Sequence, residues 1–146
     1  MEPKPLPDEA EQIRKEIKEM VPETASKPPE VQAELIHKDN NGNKRYGGGL
    51  LEGKISRLKE ILKIEEVSVS VDFSEHLIDC TQHWDGRLRY WSKPTKLVND
   101  RKEGYLIPLS DDINVNPGGK LQGGWYIQVT NEPILSSGAA AIFIVP

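Results

Sequence analysis

The sequence holds one cysteine, Cys80, in 146 residues. A single thiol can form no internal disulfide, so the fold is expected to stand without one, which suits a reducing compartment. No N-terminal stretch has the apolar core of a signal peptide. No apolar run approaches the roughly 20 residues that span a bilayer, so no membrane association is expected. The longest run, AAAIFIV at 139–145, is too short to span and reads as a strand buried on both faces, with the C-terminus packed into the sheet. Basic clusters are also lacking. Asp and Glu number 23 against 19 Lys and Arg, and residues 1–34 carry nine acids and five bases, which accounts for the whole net charge of -4. Nucleic acid, whose binding needs grouped Lys and Arg against phosphate, is not an expected partner.

Catalytic and metal signatures are missing as well. The histidines are His37, His76 and His83. Neither their spacing nor their distance from Cys80 fits a zinc site, so no metal is expected. Cys80 has no flanking signature of a nucleophile, and a buried structural cysteine is the simpler reading. Asp39, Asn41 and Asn43 start like a calcium loop, but Lys44 and Leu50 stand where the template needs Gly and Glu. GGG, PGG and QGG lack phosphate-loop spacing and are read as tight turns. No catalytic residue, no cofactor and no enzymatic reaction are expected.

What is present is a change of period along the chain. Residues 1–30 form an acidic, proline-rich arm containing one short helix. Asp8 is expected to cap that helix, whose apolar positions Ala10, Ile13, Ile17, Met20 and Val21 make a narrow stripe, and Pro22 to end it. So short a helix is marginal in water, so Ile13, Ile17, Met20 and Val21 are expected to dock on another protein. PETASKPPE reads as a linker. Residues 31–49 form a hairpin about Asn41-Gly42.

Residues 50–64 repeat Leu51, Ile55, Leu58 and Leu62 at spacings of 4, 3 and 4. This reads either as an amphipathic helix on its own β-domain or as a seam joining two or three copies.

Residues 65–146 read as a β-rich head. VSVSVDF alternates with period two, Asp85-Gly86 signals a second hairpin, and KLVN, GYLIPLS, WYIQVT and AAIFIVP add further strands. DDINVNPGGKLQGG and NEPILSSG read as turn-rich connections. The fold expected is mainly β: a compact antiparallel sandwich or barrel head, preceded by a short helix and the extended arm. In WDGRLRYW, Trp84, Arg87, Tyr90 and Trp91 cluster about one turn. They read either as rings packed across a hairpin or as a surface that stacks on sugars.

Arm, leucine-spaced helix and β-head together resemble small virion proteins of tailed bacteriophages, of the capsid-decoration or head-fibre type. The resemblance is of layout, through residues 1–34, the seam Leu51, Ile55, Leu58 and Leu62, and the head 65–146. It implies a non-enzymatic structural component of a capsid or tail, assembled in a host cytoplasm. The arm would dock on protein subunits and the seam would set a homo-oligomer, a trimer by preference. The other reading of the same chain is a carbohydrate-binding β-sandwich module using Trp84, Tyr90 or Trp91, with a glycan as its partner.

Overall fold

A computed structural model of the chain describes residues 3–21, 33–40, 42–62, 67–73, 76–82, 85–99, 103–110 and 112–145. The order is β1 (Lys4–Pro5), α1 (Asp8–Met20), β2 (Glu34–Lys38), β3 (Lys44–Gly47), α2 (Gly49–Ile61), β4 (Val67–Phe73), β5 (His76–Gln82) and β6 (Asp85–Trp91). It continues with β7 (Thr95–Lys96), β8 (Tyr105–Pro108), β9 (Asp112–Asn116), β10 (Gly119–Gln122), β11 (Trp125–Gln128), β12 (Ile134–Leu135) and β13 (Ala139–Val145).

The fold is mainly β, a sandwich and not a closed barrel. A seven-stranded sheet runs β1-β11-β8-β13-β6-β3-β2, and a four-stranded sheet runs β10-β9-β12-β7. Pairing is antiparallel throughout the described strands. The expected doubly buried strand is β13, the middle strand of the larger sheet. Its alternation serves two cores. Ala140, Ile142 and Ile144 face the core shared with both helices, while Ala139, Ala141 and Phe143 face the core shared with the second sheet. The larger sheet is therefore the middle of three layers, with helices on one face and the smaller sheet on the other.

The arm is part of this body, which overturns the expectation of a partner-docking segment. β1 pairs with β11, Lys4 opposite Tyr126, and the Leu6 amide donates to the Gly124 carbonyl at 2.9 Å. α1 then lays its stripe on the sheet. Ile17 and Val21 are 0% exposed, Met20 5% and Ile13 9%. The narrow stripe is matched by the chain's own surface, because α1 sits beside α2 and over β6, β8 and β13. Burial of an aliphatic side chain is worth about 1.5–3 kcal/mol, which is what a short polar helix lacks by itself. The helix begins one turn-step earlier than a capping Asp8 requires: Pro7 is the N-cap and Asp8 the first helical residue, without a side-chain cap. Acidic residues in the first turn still suit the helix dipole. Pro22 and the linker fall outside the described residues.

The oligomerisation seam is corrected in the same way. Leu51, Ile55 and Leu58 are buried in the helix-side core, and Leu62 is half-buried against it. The 4-3-4 stripe meets α1 and the sheet of the same chain, so these side chains have no face left for a second copy. The amphipathic-helix reading of 50–64 holds, with α2 running from Gly49 to Ile61.

Gly42 lies in the β2–β3 connection as expected, at φ +83°, and Asn41 is outside the described residues. Asp85-Gly86 does not turn. Both residues lie within β6, which pairs with β13 and β3. Glycine stands there for space: a Cβ on Gly86 would come within 2.3 Å of Ile55 Cγ2. The segment read as turns, DDINVNPGGKLQGG, contains the β9–β10 hairpin. In β9, Ile113 and Val115 are buried between exposed Asp112, Asn114 and Asn116. NEPILSSG likewise contains β12, which joins β9 to β7.

Candidate functional site

β6 decides the fate of the predicted aromatic surface. Tyr90 packs, half-buried, toward the helix-side core, while Trp91 is 4% exposed and belongs to the core between the sheets. Neighbouring residues of a strand point to opposite faces, so a stretch expected to turn about Gly86 is instead divided by the sheet. Trp91, a candidate sugar-stacking ring in the sequence, is instead a core residue, while Tyr90 stays half-buried. Arg87 is half-buried on the same strand, and Trp84 lies outside the described residues.

The strand does bring together other residues. Arg89 stands directly opposite Arg45 of β3, and Arg45 opposite His37 of β2. Ala141 of β13 completes the row. Here the larger sheet meets β7 of the smaller sheet. The β2–β3 turn bridges them: Asn43 Nδ2 donates to Thr95 Oγ1 at 3.4 Å, and the Ser92 amide donates to Asn43 Oδ1 at 3.0 Å. Behind the bridge is a cavity of about 270 Å³. Its lining carries His37, Lys44, Arg45, Arg89 and Lys96 against one carboxylate, Asp39. Asp39 is engaged locally, with Oδ1 accepting the Asn43 amide at 2.9 Å. Lys44 lies 5.8 Å from the centre of the Tyr90 ring, and Lys96 reaches Glu132 at 3.7 Å.

Arg89 is the odd member. Its Nε is sealed from solvent and has no acceptor among the described residues. Burial lowers its pKa from the ordinary arginine value, and the positive charges of Arg87 and Arg45 push in the same direction. A partly buried guanidinium beside like charges, without a carboxylate, is an unfavourable arrangement that a fold retains only when something offsets it.

No protein-family model, curated protein or solved structure matches the chain. Function is therefore argued from this chain's own chemistry.

Sequence reading missed Arg45 and Arg89 as a pair. Arg87 and Arg89 alternate in RLR, a visible sign of a basic strand face. Their meeting with Arg45, about 40 residues earlier, required the β3–β6 register. Among the described residues no group of His, Cys, Asp and Glu is placed to hold a metal ion. Among the same residues no helix is long and apolar enough to cross a membrane.

Proposed function

We propose that the chain is a non-catalytic structural component of a larger assembly, of the kind seen in the tailed-phage virion proteins its layout resembles. It associates with copies of itself through β4, β5 and the outer edge of β2. The carrying observation is the β4–β5 ribbon. Among the described residues these two strands of seven residues each pair with one another and with no strand of the two main sheets. A two-stranded ribbon by itself is marginal in water. Along β4, Val67, Val69, Val71 and Phe73 alternate with Ser68, Ser70 and Asp72; in the ladder Val69 is registered with Cys80 and Val71 with Ile78, and Val67 and Phe73 with Gln82 and His76. The β4 sequence alternates as a strand covered on one side does. β2 adds support: it ends the larger sheet with an unpaired edge, and Leu35 and Ile36 are 53% and 54% exposed. Exposed apolar edges are sites of strand addition.

The arm has no docking role in this proposal, and the leucine stripe sets no copy number, since both are spent on the chain's own core. Light scattering tests the proposal. The full chain is expected to form an oligomer, and replacing 67–82 by a short Gly/Ser loop to give the mass of a single shortened chain while thermal unfolding stays cooperative. A full chain that stays at 16.4 kDa across concentrations overturns self-assembly.

A further inference from the structure

We infer that the cavity between β3, β6 and β7 is a binding site for a doubly charged oxyanion: a phosphate or sulfate group, free or esterified to a small polar molecule. Its anchors are Arg45 and Arg89. Directly opposed residues of an antiparallel pair lie about 4.5–5.5 Å apart at Cα, so the two guanidinium groups rise from adjacent points of one sheet face. Like charges in that relation repel. Among the described residues neither Arg45 nor Arg89 is paired with a carboxylate, and Arg89 Nε faces no acceptor at all. Two other arginines are treated otherwise: Arg14 grips Glu11, and Arg57 bridges Glu9 and Glu60.

The planar guanidinium fork matches the oxygens of phosphate and sulfate two at a time. One dianion between the two forks would remove their mutual repulsion. His37 stands next in the row beyond Arg45, and Lys96 enters the same cavity from the opposite sheet. At about 270 Å³ the cavity is near the lower end of small-molecule sites, so it has room for the anion and a small attached group. Asp39 is the single opposing carboxylate in the lining and is already hydrogen-bonded to its own turn. The anchors Arg45 and Arg89 lie on β3 and β6, outside the β4–β5 ribbon and the edge strand β2, so anion binding is tested apart from self-assembly.

The test is thermal unfolding of the full chain with sodium phosphate, sodium sulfate, glucose 6-phosphate or glucose, each at ionic strength matched with sodium chloride. A ligand that binds only the folded state raises Tm, here by about 3–6 °C at saturation. The rise is expected with the anions and absent with glucose and chloride. A larger rise with glucose 6-phosphate than with phosphate identifies an ester as the ligand, and an equal rise identifies the bare anion; both support the site. Arg45→Gln and Arg89→Gln should each weaken binding about tenfold or more, equivalent to moving the anion titration by that factor. Lys120→Gln, distant on β10, should leave the titration unchanged. Arg45 is half-buried at the cavity mouth, so its variant serves as the test if Arg89→Gln does not fold. No anion-specific rise, or one that survives Arg45→Gln undiminished, overturns the proposal.

Discussion

Arg14 of α1 donates through Nη1 to the carbonyl of Pro108 at 3.3 Å, across 94 residues of sequence. The same nitrogen reaches the Leu109 carbonyl at 3.4 Å, while Nη2 and Nε hold both carboxylate oxygens of Glu11 at 2.6 and 2.8 Å. Arg14 is 7% exposed. A charged side chain buried to that degree needs its charge and its hydrogen bonds met, and here one carboxylate and two backbone oxygens meet them. The N-terminal helix is thereby locked to the end of β8, and Lys54–Glu16 at 3.4 Å ties α2 to it as well.

The arm is accordingly expected to be required for folding of the head. Ile17→Ala should destabilise by about 2–5 kcal/mol, the range for removing a buried aliphatic side chain and leaving a cavity. Urea unfolding followed by tryptophan fluorescence measures it. A chain beginning at residue 33 should lose cooperative unfolding, since Ile13, Ile17, Met20 and Val21 leave their part of the core open. A truncated head as stable as the full chain would refute this.

Acid should weaken the Glu11–Arg14 pair. The bidentate hydrogen bond from Arg14 holds the Glu11 carboxyl below its ordinary pKa, against a smaller opposing effect of burial. A folded-state pKa below the unfolded one contributes stability that is present above the unfolded value and is lost as pH falls through the folded one. Glu11→Gln should thus cost more at about pH 7 than in acid below the folded-state value, where the native carboxylate has lost its charge. Denaturant midpoints for both proteins at the two pH values decide it, and equal differences would exclude the linkage.

Gly86→Ala should destabilise through a steric clash, because the new Cβ meets Ile55 Cγ2 at 2.3 Å. Overpacking of this kind costs about 1–3 kcal/mol. Ile55→Ala removes the clashing carbon but opens a cavity of its own. The double variant should therefore be more stable than the sum of the two losses, by about 0.5 kcal/mol or more. Strict additivity would show that Gly86 and Ile55 do not meet.

Leu58→Asp separates an intramolecular core position from an oligomer seam. Leu58 is 0% exposed within its own chain. An unpaired carboxylate there should prevent folding, seen as loss of cooperative unfolding by circular dichroism. A folded variant that merely changes mass would restore the seam.

Elements carried by local pattern were legible. The alternation of VSVSVDF is β4, the apolar run AAAIFIV is the doubly buried β13, and the leucine spacing is α2. Strands written in turn residues were not. Asp, Asn, Gly and Pro surround Ile113, Val115 and Leu121, and only burial against the other sheet makes β9 and β10 out of them. Asp85-Gly86 erred in the other direction, a strong local turn signal outweighed by pairing with β13 and by the need for a side-chain-free position beneath Ile55.

By itself the sequence determined the β class, the two helices and the absence of any local catalytic signature, because each follows from composition or from a period read along a few neighbouring residues. Tertiary structure decided what the apolar stripes cover and which charges meet. The arm's isoleucines could serve a partner or their own sheet equally well as a pattern, and it was the presence of an uncovered face on that sheet, flanked by α2 and offering the Pro108 and Leu109 carbonyls to Arg14, that claimed them. Arg45 and Arg89 became neighbours for the same reason: their proximity is a property of strand register, which long-range packing sets.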